Sequence, residues 1–435
     1  MYNPHPRKSQ KKSETLMKAK TAKSAAKTRQ AKTDADPIRD FYTNHPFPPP
    51  MENVDRAREM WQDQNIHRGE HFLLWPNKEF RADLDVLIAG CGTWQAAKYA
   101  IGHPEARVMA IDVSKTSLEH TERLKQHHDL KNLEVRQLAI ENAAELDQHF
   151  DLIVCTGVLH HLVDPDAGLR ALRSVLKPDG AMQLMVYAPY GRTGIYMMQE
   201  YCRRLNIGTS EEEIRDLMSV LKNLPENHPL LATQGGSKEL PSPDALADAV
   251  LNPRDRAYSV AQVFDFVESN GLKFSRWHWQ AAYLPQCIFI KGTPHAMQLT
   301  ALPEREQYMQ MELWRALMPN HSFLVHRDDS DNGTKISFDD ERYLRFVPVR
   351  LPWTICVDDR LPPDAAGILV NRTHIFNDLY LIINEPEKQL VDAIDGRRSV
   401  AQIVESLPGS APLAREFFEK LWWYDQAVFD TTKVH

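Results

Sequence analysis

Between Asp85 and Tyr190 short apolar runs alternate with stretches of helical periodicity. Val86-Leu-Ile-Ala89, Arg107-Val-Met-Ala-Ile111, Asp151–Cys155 and Ala181–Tyr187 read as strands because they are short and largely apolar, and Leu133–Leu138 because it alternates as a sheet flank does. Thr93–Ile101, Ser117–His128 and Asp166–Leu176 read as the helices between them. The first is stopped by Gly102 with Pro104 beyond, the third by Pro178-Asp-Gly180. Strands alternating with helices require crossover connections, which give a parallel sheet with helices on both faces. Further on, Leu272–Trp279 and Gln286–Lys291 are expected to complete a seven-stranded, mostly parallel sheet. Residues of about 205–255 are expected to form a helical insertion, with Ile195–Leu205 and Glu211–Leu224 helical. Ser210 with Glu213, and Ser259 with Gln262, have capping-box spacing.

The remaining chain divides by pattern. Residues 1–36 are rich in Lys, Ala, Ser and Thr and bury too little apolar surface to order, so a disordered tail is expected there. Residues 37–82 mix aromatics with the proline run Pro48-Pro-Pro50 and are expected to form a helical cap over the mouth of the next unit. That unit spans 83–295, followed by a linker at 296–335 and a small α+β unit at 336–435. In the last unit strands are expected at about 343–349 and 366–383, and helices at about 387–395, 399–406 and 412–425.

Charge changes the picture of partners. The tail carries ten basic and three acidic residues, a balance of +7 that leaves −14 for the body of a chain whose net charge is −7. A body that acidic argues against nucleic acid as a partner, since phosphate neutralisation needs a basic face. No apolar run is long enough to span a membrane and no secretory leader opens the sequence. The five cysteines are scattered, with no C-x-x-C pair, which fits reduced thiols in a cytoplasmic protein and no metal site.

The most informative stretch is Asp85-Val-Leu-Ile-Ala-Gly90-Cys-Gly92-Thr93, a strand running into a glycine-rich turn that opens a helix. Asp112 ends the next strand, where its carboxylate can accept from two ribose hydroxyls. A dinucleotide fingerprint would need a third glycine where Gln95 stands beside Trp94. S-adenosylmethionine, which carries no phosphate, makes no such demand. Val86–Thr93, Asp112-Val-Ser, Phe150-Asp-Leu-Ile-Val-Cys-Thr-Gly-Val-Leu-His-His-Leu162 and Leu176-Lys-Pro-Asp-Gly180 resemble, in order and spacing, the motifs of class I S-adenosylmethionine-dependent methyltransferases. The resemblance implies a Rossmann-like fold and S-adenosyl-L-methionine as cofactor. Carried over by position, it places Ala89, Gly90, Cys91 and Gly92 along the methionine part and Asp112 with Val113 at the ribose. It places Ile140 and Glu141 at the adenine, and Thr156, Gly157 and Val158 beside the sulfonium.

Methyl transfer draws its acceleration chiefly from alignment, with a base needed only if the acceptor must lose a proton. His160 and His161, after the fourth strand, are candidates for that base, with Tyr190 beside the same cleft as a third catalytic candidate. Tyr187, Arg192 and Trp75 are candidates for orienting the acceptor, and Phe41, Tyr42, Phe47 and Trp75 for an apolar lid. Glu387–Ile403 weakly resembles the winged-helix module that docks leader peptides in peptide-maturation enzymes. Recognition or dimerisation is therefore expected of the last unit, with a homodimer compatible. The expected activity is methyl transfer to a small-molecule acceptor. The alternatives are a protein or peptide acceptor docked by the C-terminal unit, and a non-catalytic cofactor-binding scaffold or sensor.

Overall fold

A computed structural model describes residues 36–233, 241–288, 290, 292–330 and 335–434, so the expected disordered tail lies almost wholly outside the described residues. In chain order the helices are α1 Pro37–Asn44, α2 Asp55–Met60, α3 Gln64–Leu74, α4 Gln95–Gly102, α5 Lys115–His127, α6 Pro165–Ser174, α7 Thr193–Arg204, α8 Glu211–Leu221, α9 Pro229–Thr233, α10 Pro243–Val250, α11 Val260–Ser269, α12 Pro294–Thr300, α13 Glu304–Arg315, α14 Glu385–Asp392, α15 Val400–Ser406 and α16 Ala411–Trp423. The central sheet holds β1 Asp85–Ala89, β2 Arg107–Asp112, β3 Leu133–Gln137, β4 Phe150–Thr156, β5 Leu176–Tyr187, β6 Leu272–Trp277 and β7 Asn320–Arg327, in the order β3-β2-β1-β4-β5-β7-β6. The first five are parallel; β7 runs antiparallel to both its neighbours.

Successive residues on a strand face opposite ways, and each face is buried against its own helices. Leu87, Ile111, Ile153 and Leu184 lie on one face, under Leu169 and Leu172 of α6 and Val263 and Val267 of α11. Val86, Ile88, Val108, Val154 and Leu324 lie on the other, with Leu73 of α3 and Ala96, Ala97 and Ala100 of α4. The capping boxes at Ser210–Glu213 and Ser259–Gln262 are both formed. Helices α8 to α10 fall within the segment expected as a helical insertion.

The expected seventh strand at Gln286–Lys291 is not found among its described residues. Pro285–Cys287 is a single tight turn, and Ile288 and Ile290 are buried in the core from an irregular backbone. The strand that closes the sheet is β7, inside the segment expected as a linker, where it pairs with all of Ala181–Tyr187. The polar Asn320-His321-Ser322 start and His326 make the run look unlike a strand. His321 and His326 are nevertheless fully buried, through Nε2 contacts to a Glu312 carboxylate oxygen at 3.0 Å and to the Leu74 carbonyl at 3.1 Å.

The C-terminal residues form a two-stranded pair, β8 Val347–Arg350 with β12 Ala427–Asp430, and a three-stranded antiparallel sheet, β9 Thr354–Val357, β10 Gly367–Asn371 and β11 Tyr380–Ile383. Helices α14 to α16 pack on them around Leu369, Ile383, Phe417, Phe418 and Phe429. This unit is fastened to the main sheet. Arg276 of β6 donates to Asp425 at 2.7 Å with both groups buried, and its guanidinium lies 4.0 Å from the Trp422 ring centre. The other Asp425 oxygen accepts from the Ala281 amide at 3.0 Å and faces His374 Nε2 at 3.2 Å.

Candidate functional site

In an open sheet of this order the connections leave in opposite directions between β1 and β4, and the strands' carboxyl ends open a crevice there. The β1–α4 turn lines it. Gly90 and Gly92 both take positive φ, +73° and +56°, which only glycine adopts without cost. A Cβ on Gly92 would stand 2.7 Å from the Phe47 carbonyl oxygen. Asp112 closes the turn from β2: one oxygen accepts from the Gly92 amide at 2.9 Å, the other from the Ser114 amide at 2.9 Å. Burial pushes this carboxyl above its ordinary range, against the pull of its backbone N–H donors, and among the described residues no cation offsets it. A half-buried carboxylate that accepts only backbone N–H groups and borders a cavity retains lone pairs for a guest's hydroxyls.

The segment 36–50 straps over this turn. The Thr93 hydroxyl donates to the Pro48 carbonyl at 2.6 Å and the Ser114 hydroxyl to the Tyr42 carbonyl at 2.9 Å. The Tyr42 hydroxyl donates to Asp248 of α10 at 2.7 Å, and Asn252 donates to that hydroxyl at 3.0 Å. The strap is thus held by both the cofactor-type turn and the insertion. Behind it lies one continuous cavity of about 910 Å³.

Gly90, Cys91, Gly92, Asp112, Val113, Ile140, Glu141, Thr156, Gly157 and Val158 all line this cavity, so the structure brings these ten expected positions together. Ala89 does not: it is buried in the layer beneath α6 with Leu87 and Ile111. Tyr187 and His161 line the cavity beside them, and Trp75 lines its far part, its indole N–H on the Asp179 carbonyl at 3.2 Å. Of the expected lid residues, Tyr42 and Phe47 line the cavity, whereas Phe41 is buried against Ile214 and Ala247.

Three expected site residues stand elsewhere. Tyr190 is 42% exposed on the turn before α7 and lines no part of the cavity. Arg192 is buried and committed to Asp255 at 2.7 Å, its guanidinium 3.5 Å from the Tyr187 ring centre, so it braces that ring from behind. His160 is fully buried, its ring centre 3.9 Å from that of Tyr187, and burial drives its basicity far down. For His160 and Arg192 the cause is the tight turn after the strand, which sends one side chain to the cleft and its neighbour into the packing, whereas Tyr190 is turned to solvent. His161 Nδ1 lies 2.6 Å from the Arg254 carbonyl, and its Nε2 is buried without a partner among the described residues. Sequence reasoning missed Asp248, Asn252 and Arg254; the dense Asn252-Pro-Arg-Asp-Arg256 cluster after an apolar helix was the available signal.

A family model described as a methyltransferase domain matches residues 87–182. An uncharacterized protein of Synechococcus sp. is 31% identical over 326 residues, covering 71% of this chain and 75% of that one. The chain belongs to the class I S-adenosylmethionine-dependent methyltransferases. The methyltransferase is also 32% identical to the ubiquinone biosynthesis O-methyltransferase of Neisseria meningitidis over 96 residues, 22% of this chain and 40% of that relative's length. Its fold is similar to that of PKMT2 from Rickettsia typhi in complex with AdoHcy, with a TM-score of 0.60 at 15% identity over 88% of this chain and 77% of that one. S-adenosyl-L-methionine is accordingly its methyl donor. No described helix is long and apolar enough to cross a membrane.

Proposed function

We propose that this methyltransferase transfers a methyl group to a small-molecule acceptor, with His161 taking up the proton the acceptor loses. The observation that carries the reading is the state of His161. The Arg254 carbonyl can only accept, so Nδ1 carries the proton and Nε2 keeps its lone pair. Burial lowers the basicity of the ring, so it is neutral at pH 7 and available as a base. Tyr42 and Tyr187 flank it, with ring centres 6.0 and 5.6 Å away, and both hydroxyls face Asp248.

When bound, S-adenosylmethionine supplies an electrophilic methyl group on a sulfonium. The residues that hold it in this reading are Gly90, Cys91 and Gly92 for the amino-acid part, Asp112 for the ribose, and Val113, Ile140 and Glu141 around the adenine. Thr156, whose hydroxyl accepts from the Gln95 side chain at 2.8 Å, lies with Gly157 and Val158 toward the reacting end. Strap residues Tyr42 and Phe47 keep water from that end. In the alternative, the acceptor is a protein or peptide docked by the C-terminal unit; the position of Trp353 and Thr373 on the cavity wall is what favours it.

The test supplies methyl-labelled S-adenosylmethionine with the dialysable and non-dialysable fractions of a cell extract. Label is expected in the dialysable fraction; label in the protein fraction alone supports the alternative. His161→Asn is expected to lower the rate by about 100-fold or more, as loss of a general base does, with the affinity for S-adenosylhomocysteine unchanged. The wild-type rate should be flat above the ordinary histidine range and fall on the acid side. An unaltered rate in the variant removes the base from the reading.

A further inference from the structure

The glycine turn and Asp112 occupy one end of the cavity. From Thr156 the lining continues down the same sheet face, through Val154 and Leu152 on β4, Gln183 on β5 and Leu324 on β7. Residues two apart on a strand share a face, so Thr156 to Leu152 spans roughly 13 Å. The C-terminal end of α3 and the Tyr99 flank of α4 wall this inner lobe. His278, Trp279 and, from the C-terminal unit, Trp353 and Thr373 also line it.

Its polar groups lack partners. Gln183 stands mid-sheet, in register between Val154 and Leu324, and among the described residues its amide makes no hydrogen bond. Nδ1 of His278, Nδ1 of His71 and the indole N–H of Trp61 are buried on the lining and equally unpartnered. A polar group left unsatisfied costs about 1–3 kcal/mol, and Gln183 and His278, both half-buried on the lining, are open to a guest. Apart from the exposed Glu105, the charged groups around the lobe are engaged within the protein. Glu70 lies 3.1 Å from His103, Arg81 3.0 Å from Asp83 and Arg68 3.8 Å from Asp430, while Lys98 stands over the Trp94 ring at 5.6 Å. Indole, phenol and imidazole rings supply much of the walls beside Leu73, Leu74, Leu84 and Pro104, with Tyr99 stacked on His103 at 4.0 Å.

We propose that this lobe binds the body of an uncharged, elongated aromatic acceptor whose hydrogen-bonding groups pair with Gln183 and His278. The proposal rests on the reading of the Gly90–Asp112 end as the cofactor end. An aromatic body fits the ring-lined walls, neutral donors and acceptors fit the orphaned amide and imidazole, and a formal charge would find no free counter-charge along the strands.

Calorimetric titration of the full chain with S-adenosylhomocysteine, then with para-phenylphenol, tests it. Both are expected to bind saturably. Gln183→Trp, which fills the lobe, should weaken para-phenylphenol by at least about 10-fold and leave S-adenosylhomocysteine unchanged. Gln183→Leu, close in size and safe for folding, should weaken it by about 3- to 10-fold through the lost hydrogen bonds. Para-phenylbenzoate and para-phenylbenzylamine, of the same shape but charged, should bind at least about 10-fold more weakly. Binding of S-adenosylhomocysteine without para-phenylphenol overturns the lobe proposal, as do unaltered Gln183 variants or equal binding of a charged analogue. Binding of para-phenylphenol without S-adenosylhomocysteine leaves the lobe standing and overturns the cofactor reading.

Discussion

Asp112 is a half-buried carboxylate that holds its own loop, through Gly92 and Ser114, and borders the cavity. Asp112→Ala is expected to weaken S-adenosylhomocysteine by about 10- to 100-fold, the value of one or two hydrogen bonds to a charged group. Calorimetry reads this directly, and an unaltered affinity would remove the ribose assignment. Residues of this kind were legible in the sequence, because Gly90, Gly92 and Asp112 act through local backbone geometry. Tyr190 and Arg192 were misplaced for the opposite reason. Which side of a turn faces the cleft depends on what packs behind it, and here Asp255 holds Arg192 inward. Gln183 was invisible too: nothing in Ala181–Tyr187 tells which face of β5 stays uncovered.

At the scale of elements, the strap over the β1–α4 turn is the part whose disturbance should be most specific. Gly92→Ala puts a methyl against the Phe47 carbonyl at a φ of +56°, where a non-glycine residue costs about 1–2 kcal/mol before any clash. The expected result is faster proteolysis between residues 36 and 50 and weaker S-adenosylhomocysteine binding, with the thermal midpoint only modestly lower. Equal cleavage in variant and wild type would sever the strap from the turn. Trp94, which stands beside the position of the dinucleotide fingerprint's third glycine, is accommodated as the cap residue before α4, partly buried with Lys98 over its ring. The elements with strong periodicity, β1 to β6 and α4 to α8, were readable from pattern. Strand β7 was not, since its buried histidines are made tolerable only by their tertiary partners, Glu312 of α13 and the distant Leu74 carbonyl.

Across the whole molecule, the Arg276–Asp425 pair ties the C-terminal unit to the sheet that floors the inner lobe. Asp425→Ala leaves a buried guanidinium unpaired and is expected to cost about 3–5 kcal/mol, read as a lowered urea midpoint. A loss below about 1 kcal/mol would show the pair to be solvated. Acid should also weaken the fold. Burial lowers His71 to about 4 and His326 to about 3, below the ordinary histidine value of 6.5. The unfolded chain therefore binds more protons than the folded one below about pH 6.5. Stability present above that pH is lost as pH falls toward 4, at up to about 1.4 kcal/mol per pH unit for each histidine. Urea midpoints at pH 7.5 and pH 5 check the sign.

By itself the sequence determined the parallel strand–helix core, the glycine turn with its spaced acid, and hence the methyltransferase class. Those signals are local: apolar period, turn chemistry and the reach of one carboxylate to its own loop. Only the tertiary structure decided which histidine faces the cavity, which strand closes the sheet, and that the C-terminal unit helps line an inner lobe. Each of these depends on contacts between residues far apart in the chain, and side-chain direction at such places is set by whatever fills the other side.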